Sequence, residues 1–323
     1  MKLATYNDAG RQTLGALTPG GQHLLNLATA AQGRDNGAFR SMLSLIEAGD
    51  ESLALARSLL VQGSYPDAAL VPLDVVRLLA PLPVPTQIRD ASVFPDHIRQ
   101  APVGMRRMAA RLAGQPEPEL APEPDVPPVY RERPIYYLSN RFSVIGPEET
   151  VRWPRYSQVM DYEIELAAVI GRKGRDISVE QAADHIFGYT IYNDFSARDT
   201  QWAEMQGMLG PAKGKSFDMG NAMGPWIVTP DELGDVRSLR VSARINDDTI
   251  LESDFSQMLH GFDDIISYIS RDETLYPGEV IGSGTVGNGC GMETGRFLSD
   301  GDEIEIAIDR IGTLRNRVFC QHK

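Results

Sequence analysis

The sequence has few cysteines and no long apolar run. Its 323 residues contain two cysteines, Cys290 and Cys320, and neither has the spacing of a zinc site, so we expect structural thiols rather than a disulfide framework or a zinc centre. No stretch reaches the roughly 18 apolar residues of a membrane span. The first residues also lack the basic and apolar segments of a signal peptide. We therefore expect a cytoplasmic protein that has no membrane partner.

Positive charge is also scarce. The chain has 31 Lys and Arg residues against 44 Asp and Glu residues, and its net charge of −13 disfavours binding to nucleic acid or anionic lipid. Neither G-x-x-x-x-G-K-[ST] nor G-x-G-x-x-G after a strand is present, which argues against nucleotide chemistry. If such a protein binds an anionic substrate, its cleft needs Arg and Lys side chains of its own.

The patterns that are present change along the chain. After a hairpin-like start, LLNLATAA, FRSMLSLIEA and ESLALARSLL carry apolar residues at helical spacing. The Pro-rich stretch that follows predicts an extended connection, because Pro removes a backbone donor and disfavours helix before it. We therefore predict a small N-terminal domain over residues 1–80 and a catalytic domain over 81–323.

Beyond Pro134 short β-rich segments dominate, separated by Gly, Pro and Asp turns. Helices are predicted around Met105 to Leu112, after the S-x-x-Q capping box that begins at Ser178, and along the apolar stripe from Met258 to Ile269. The fold class predicted from this order is mixed α+β and rich in sheet.

Three acidic residues are the candidates for a metal site. In DYEIELAAVIG, Glu163 and Glu165 alternate with apolar residues as on a half-buried strand, so both carboxylates point to one face. Taken alone, this pattern is more often a solvated strand face. However, Asp194 ends the next apolar strand, and carboxylates that converge there need a cation to offset their repulsion. Oxygen donors favour Mg²⁺, Mn²⁺ or Ca²⁺ over zinc.

Several motifs in order resemble the fumarylacetoacetate hydrolase family over roughly residues 134 to 318. They are DYEIELAAVIG, NDFSARDTQ, GPAKGKSFDMGNAMGPWIVTPDEL and GSGTVGNGCGMETGRFLSDGDEIEIAIDRIGTLRNRV. The resemblance implies a β-roll or β-sandwich core with a smaller helical N-terminal domain. It also makes Glu163, Glu165 and Asp194 metal ligands.

The same resemblance assigns roles to residues outside the acidic trio. In IRDASVFPDHIRQ, Asp90 becomes a fourth metal ligand and His97 a general base, with Glu293 orienting it. Without the family, a lone histidine such as His97 is more often a packed or surface side chain. The remaining matches are to catalytic or substrate-binding positions: Arg198, Gln201, Lys215 and Thr285.

Ordinary alternatives stay open for these polar residues. Arg198 could equally pair with the neighbouring Asp199, while Lys215 and Glu293 could be surface side chains. Their loops are rich in Gly, which lets a backbone approach a ligand closely. The chain also departs from related sequences at Ala91 and Ser92, and at Met205, which stands where the vertebrate-type enzyme has a substrate-contacting Tyr. These departures leave the substrate open.

The activity implied by the resemblance is Mg²⁺-dependent hydrolysis of a carbon–carbon bond in a fumarylacetoacetate- or acylpyruvate-like diketo acid, as in the catabolism of aromatic or related carbon compounds. A lyase or isomerase reaction on a 2-oxo acid uses the same ligands and remains an alternative. A catalytically silent binding protein is a third reading. The resemblance further implies a homodimer.

Overall fold

The structure is a computed structural model that describes residues 1–63 and 65–321. In chain order the strands are β1 (Lys2–Asp8), β2 (Arg11–Leu17), β3 (His23–Asn26), β4 (Leu70–Pro72), β5 (Arg77–Leu78), β6 (Gln87–Ser92), β7 (Ile135–Ser139), β8 (Val144–Ile145), β9 (Thr150–Arg152), β10 (Met160–Asp161), β11 (Ile164–Ile170), β12 (Ile186–Asp194), β13 (Ser196–Ala197), β14 (Asn221–Val228), β15 (Arg240–Ile245), β16 (Asp248–Asp254), β17 (Glu279–Gly282), β18 (Glu303–Ile308) and β19 (Gly312–Phe319). The α-helices are α1 (Leu27–Ala31), α2 (Met42–Ala48), α3 (Asp50–Val61), α4 (Pro95–Leu112), α5 (Pro128–Glu132), α6 (Arg198–Met205), α7 (Pro230–Leu233), α8 (Phe262–Ile269) and α9 (Gly291–Thr294). Short 3-10 helices lie at Ala38–Arg40, Asp67–Ala69, Leu73–Val75, Val179–His185 and Val236–Ser238.

One large sheet brings most of the predicted site residues together. Its 12 strands follow the order β4-β3-β2-β1-β14-β12-β11-β17-β6-β7, with β5 beside β1 and β8 beside β14. In its centre β12, β11 and β17 pair antiparallel, and β6 joins β17 in parallel. Segments that are distant in sequence, from β6 to β17, therefore lie side by side.

A second, 5-stranded sheet has the order β16-β15-β18-β19-β9. Its apolar side chains, such as Val241 and Ile306, share one core cluster with Ile164 and Leu166 of β11 and with Ile265 of α8. The two sheets and α8 thus enclose a common core. This confirms the predicted mixed α+β, sheet-rich fold class.

The strand β11 differs from the half-buried strand that the sequence predicted. All of its residues are buried, because both faces are covered. Ile164, Leu166, Ala168 and Ile170 face the core between the sheets, whereas Ala167 and Val169 contact the cluster formed with the N-terminal helices. Glu165 shares the face of Ala167 and Val169. Its carboxylate is therefore buried and not solvated.

Two predicted helices also differ in the structure. The helix predicted from Met105 to Leu112 begins ten residues earlier, as Pro95–Leu112, and it includes Pro102 within its length. The segment after Ser178 is a 3-10 helix, and the Ser178 side chain makes no capping hydrogen bond. The predicted stripe is helical only as Phe262–Ile269, although Met258 before it is buried.

The N-terminal region combines strands and helices. The hairpin-like start is present as β1 and β2, and β1 pairs with β14 of the large sheet. The helices α2 and α3 place Leu45, Ile46 and Leu59 in a cluster with Ile227 and Val280 of that sheet. The division into domains 1–80 and 81–323 stays a prediction.

Within residues 1–63 and 65–321, none of the helices combines the length and the apolar character that crossing a bilayer requires.

Candidate metal and substrate site

Four predicted metal ligands lie at neighbouring strands of the large sheet. Asp90 is in β6, Glu165 is in β11, Glu163 directly precedes β11, and Asp194 is the last residue of β12. Carboxylate oxygens of Asp90, Glu163 and Glu165 all lie within 4.8 Å of one another. All four residues are buried. The structure therefore brings the predicted ligands to one place.

Gly282 of β17 makes this approach sterically feasible. It lies between the strands that carry Asp90 and Glu165, and it pairs directly with Asp90. A Cβ atom built on Gly282 would lie 2.3 Å from Asp90 Oδ1 and 2.9 Å from Glu165 Oε2. Any larger residue here would displace a carboxylate. This glycine was not predicted as a site residue, although it is the first residue of the GSGTVGNGCG segment.

Asp194 is connected to the other carboxylates by Lys215 and Tyr137. Lys215 Nζ lies 2.7 Å from Asp194 Oδ2 and 2.6 Å from Glu163 Oε2. The Tyr137 hydroxyl lies 2.8 Å from Asp90 Oδ2 and also contacts Asp194 Oδ2. Burial raises the pKa of Tyr137 well above its usual value of 10, so its hydroxyl stays protonated. Tyr137 was missed because a strand tyrosine has no catalytic signature in sequence.

The pKa values of these four carboxyl groups are not all shifted in the same direction. Burial raises the pKa of Glu165 well above its usual value, and burial together with Asp194 raises the pKa of Asp90 to about 7. Burial also raises the pKa of Asp194, although Lys215 opposes this. The pKa of Glu163 is lowered, because Lys215 and Arg198 outweigh the effect of its burial.

The donor set fits a divalent cation. In the part of the chain that the structure describes, Asp90 Oδ1 and Asp194 Oδ1 are buried without a hydrogen-bond partner, and the cationic side chains Lys215 and Arg198 bond to Glu163, not to Glu165 or Asp90. Buried carboxylates that repel one another are stabilised by a cation, and oxygen donors are those that Mg²⁺, Mn²⁺ and Ca²⁺ prefer.

Arg198 is held by a buried network and not by its neighbour in sequence. Its guanidinium donates to Asp161 Oδ2 at 2.7 Å, to Glu163 Oε1 at 2.8 Å and to Gln201 Oε1 at 2.8 Å. The alternative pairing with Asp199 is wrong. Asp199 instead accepts hydrogen bonds from the Ser157 hydroxyl and the Gln158 amide.

Asp161 is a further buried site residue that was not predicted from the sequence. Besides Arg198, it accepts hydrogen bonds from the backbone amides of Gly291 at 2.6 Å and Met292 at 3.1 Å. It thereby ties Arg198 to the first turn of α9. The signal was available, because Asp161 continues the alternation of Glu163 and Glu165 by one step towards the N terminus.

The Gly-rich loop that carries Lys215 is organised by Glu204. The Glu204 carboxylate accepts hydrogen bonds from the backbone amides of Ala212, Lys213 and Gly214 at 3.0, 2.6 and 3.0 Å. A Cβ atom on Gly214 would lie 2.8 Å from the backbone nitrogen of Gln201. Glycine thus permits the loop to pack on α6, which directs Lys215 inward.

The side chains of His97 and Glu293 come from two different helices and contact each other. His97 is in the first turn of α4 and Glu293 is in α9, and His97 Nδ1 lies 3.3 Å from Glu293 Oε2. The His97 side chain is 13% exposed, whereas that of Glu293 is fully buried. Burial alone would lower the pKa of His97, but the charge and hydrogen bond of Glu293 outweigh it and raise that pKa.

The loop after β17 brings Thr285 to the same place. The Gly284 amide donates to Glu165 Oε2 at 3.0 Å, and Thr285 Oγ1 lies 3.5 Å from Glu165 Oε1. The loop therefore contacts one of the predicted ligands through both its backbone and a side chain.

A cavity of about 800 Å³ opens onto these residues. Its polar end includes Asp90, Glu163, Glu165, His97, Arg198, Gln201, Lys215 and Thr285. The remaining wall is largely apolar and includes Ile98, Ala101, Met105, Trp202, Met205 and Leu209. Asp194 and Glu293 lie behind the polar end, where they contact Lys215 and His97. Every predicted site residue is thus at this cavity or directly behind it.

Several known proteins are similar in sequence to this chain. Residues 105–319 match the family model described as fumarylacetoacetate (FAA) hydrolase C-terminal. The human mitochondrial protein named oxaloacetate tautomerase FAHD2B is 31% identical over 281 residues, which are 86% of this chain and 80% of that protein. The Bacillus subtilis (strain 168) protein named oxaloacetate tautomerase YisK is 33% identical over 286 residues, 86% of each chain.

Solved structures resemble the whole chain. A fumarylacetoacetate hydrolase from Exiguobacterium antarcticum has a TM-score of 0.74 at 29% identity and covers 99% of this chain and 100% of its own. A probable 2-hydroxyhepta-2,4-diene-1,7-dioate isomerase from Mycobacterium abscessus has a TM-score of 0.73 at 26% identity and covers 100% of both chains.

Proposed function

The chain belongs to the fumarylacetoacetate hydrolase family, and on that premise we propose that it is a divalent-cation-dependent enzyme that tautomerises a small 2-oxo acid such as oxaloacetate. The observation that carries the proposal is the position of His97. Its imidazole, paired with Glu293 at 3.3 Å, lines the same cavity as the carboxylates of Asp90, Glu163 and Glu165. A proton-transfer group thus faces a cation site across a space that fits a small acid.

Asp90, Glu163, Glu165 and Asp194 would hold the cation, and we propose Mg²⁺, with Mn²⁺ or Ca²⁺ also suited to these donors. A bound divalent cation would supply Lewis-acid polarisation of the oxo group and would stabilise negative charge developing on its oxygen. The mutual approach of Asp90, Glu163 and Glu165 supports the assignment of these three, and Lys215 bridges Asp194 to Glu163 beside them.

His97 is proposed to carry the proton. Tautomerisation moves a proton between the carbon next to the oxo group and the enol oxygen, and an imidazole is suited to that task near neutral pH. Because Nδ1 faces Glu293, Nε2 is the nitrogen left to exchange the proton with substrate. Glu293 orients the ring and stabilises its protonated form, in the way that a carboxylate supports histidine in other acid–base sites.

Lys215 and Arg198 are proposed to act as fixed positive charges. Burial opposes protonation of Lys215, but Asp194 and Glu163 outweigh it and raise its pKa, so Lys215 stays charged and does not serve as a base. Arg198, Gln201 and Thr285 line the polar end with hydrogen-bonding groups that suit a substrate carboxylate. The acidic chain thereby keeps cationic groups where an anionic substrate would bind.

Replacing His97 by Ala tests the assignment. In the presence of Mg²⁺, loss of the oxaloacetate enol absorbance should be accelerated by the wild-type protein, and H97A should lower kcat by about 10²- to 10⁴-fold. Replacing the half-buried His185, which lies in a 3-10 helix, by Asn is the matched control and should leave kcat unchanged. Wild-type kcat in H97A would remove His97 from the mechanism.

Hydrolysis of an acylpyruvate-like diketo acid is the second candidate, and the apolar cavity wall favours it. Oxaloacetate has no apolar group to place against Ile98, Met105 and Trp202, whereas an acyl chain does. The His97–Glu293 pair would then deprotonate a water molecule for attack on the distal carbonyl carbon. Loss of diketone absorbance from an acylpyruvate series, without acceleration of oxaloacetate tautomerisation, would favour this reaction. The implied homodimer and the implied catabolic role remain predictions.

A further inference from the structure

Cys290 lies beside the proposed acid–base pair and has no part in the proposed reaction. It precedes α9, it is fully buried, and its Sγ lies 3.2 Å from Glu293 Oε2 and 3.9 Å from His97 Nδ1. With the 3.3 Å between His97 Nδ1 and Glu293 Oε2, the three atoms form a compact triangle. One sulfur, one imidazole nitrogen and one carboxylate oxygen therefore converge on one point.

These distances match one face of a zinc tetrahedron. With Zn–S near 2.3 Å and Zn–N and Zn–O near 2.0 to 2.2 Å, tetrahedral geometry separates the ligand atoms by roughly 3.3 to 3.7 Å. The observed edges span 3.2 to 3.9 Å. Small side-chain adjustments would therefore suffice to ligate an ion.

Hydrogen bonds hold the segment that carries Cys290 and Glu293. Asp161 accepts hydrogen bonds from the amides of Gly291 and Met292, and Glu293 Oε1 accepts one from the Asn288 amide at 3.0 Å. Bonds of this kind hold metal-binding groups in place and tune the affinity of a site. Only His97 of the three faces the large cavity.

We propose that His97, Cys290 and Glu293 form a second metal site, which takes thiophilic ions such as Zn²⁺ and inhibits the enzyme. Its mixed sulfur, nitrogen and oxygen donors select against Mg²⁺, whereas the all-oxygen site of Asp90, Glu163 and Glu165 favours hard ions. Binding releases the Sγ proton that Cys290 donates to Glu293. Inhibition follows because an ion on Nδ1 leaves the proton of the neutral His97 ring on Nε2, so Nε2 can no longer accept a proton from substrate, and because the ion also takes the carboxylate of Glu293. The proposed inhibition rests on the proposed function, whereas the proposed metal site does not.

Co²⁺ absorption tests the site without an activity assay. Co²⁺ is titrated into wild-type protein in excess Mg²⁺, and we expect a thiolate-to-Co²⁺ charge-transfer band that Zn²⁺ abolishes. Replacing Cys320, the other cysteine in the chain, by Ser is the control and should keep the band. Because C320S leaves Cys290 as the single thiol, its spectrum identifies the ligand even if Cys290 variants fold poorly. Absence of the band in wild-type protein overturns the proposal.

Inhibition by Zn²⁺ is tested with variants of both cysteines. Zn²⁺ should inhibit wild-type protein and C320S equally, while C290S and C290A should need at least about 100-fold more Zn²⁺, since even loss of a supporting residue commonly costs 10- to 100-fold in metal affinity. Equal Zn²⁺ sensitivity of C290S and wild-type protein overturns the proposed inhibition. A protein with a Co²⁺ band but no turnover would contradict the proposed function and leave the metal site standing.

Discussion

At the scale of single residues, Glu293 sets the protonation state of His97. The carboxylate raises the pKa of the imidazole through charge and a hydrogen bond, against the opposing effect of burial. In the proposed reaction the neutral imidazole is the form that accepts a proton, so activity should be lost as pH falls through this raised pKa. Glu293 therefore determines where the acid limb of the pH profile lies.

Replacing Glu293 by Gln should move that acid limb to lower pH, because the amide keeps a hydrogen-bonding group and removes the charge that raises the pKa of His97. The plateau rate should also fall, since the ring loses its charged partner. The measurement is kcat/KM against pH for wild-type protein and E293Q. An acid limb at unchanged pH would show that another group titrates.

Gly282 is the second residue whose role is local and testable. Its missing Cβ leaves room for Asp90 and Glu165 on either side. Replacement by Ala should displace one of these carboxylates and lower the Mg²⁺ affinity by about 10- to 100-fold, as loss of ligand positioning commonly does. Calorimetric titration with Mg²⁺ measures this effect.

The matched control is Gly188→Ala in β12 of the same sheet. A Cβ atom on Gly188 would meet Ile227 and Val228 and no carboxylate, so G188A should cost stability and keep the metal affinity. If both variants lose Mg²⁺ affinity equally, the loss reflects the sheet as a whole and Gly282 has no special role.

At the scale of elements, the position of α4 decides whether the acid–base pair forms. This helix crosses α9 at Gly104, where a Cβ atom would lie 1.9 Å from the carbonyl oxygen of Met292. His97 lies in the first turn of α4, and Glu293 follows Met292 in α9. The close approach at Gly104 thus sets the distance across which the two side chains pair.

Replacing Gly104 by Ala should push α4 away from α9. We expect a loss of about 1 to 3 kcal/mol in the free energy of unfolding from overpacking, together with a fall in kcat. Chemical denaturation and steady-state kinetics measure the two effects. Ala110→Gly in the same helix is the control, because it costs about 1 kcal/mol through helix propensity but leaves the contact with α9 intact. An unchanged kcat in G104A would contradict the proposed coupling.

The elements also show what the sequence could predict. The strands around Glu163, Glu165 and Asp194 could be recognised because apolar residues alternate or run continuously there, and the family motifs located the remaining candidates. The start of α4 could not be placed, because Pro95 and Pro102 read as breakers, although Pro is tolerated in a first turn. The role of Tyr137 arises from contacts between distant segments, which periodicity does not reveal, whereas the alternation of Glu163 and Glu165 extends to Asp161.

At the scale of the whole molecule, the cationic side chains in the cavity contrast with the negative net charge of the chain. The chain carries a net charge of −13, yet the polar end of its main cavity contains Arg198 and Lys215 beside the buried carboxylates. These two cations are bonded to Asp161, Glu163 and Asp194. The sheet that gathers these residues thus leaves the buried carboxyl groups of Asp90 and Glu165 without a bond from either cation, which is the central argument for a metal.

Thermal unfolding of wild-type protein and Glu165→Gln, with and without Mg²⁺ or Mn²⁺, tests that argument most directly. Wild-type protein should gain about 2.7 kcal/mol of stability at a metal concentration of 100 times Kd. Without metal, E165Q should be at least as stable as wild-type protein, because burial and the nearby Asp90 and Glu163 disfavour the ionised carboxylate of Glu165, whereas the amide is neutral. With metal, E165Q should gain little. Equal metal stabilisation of both proteins, or none in wild-type protein, would contradict the account.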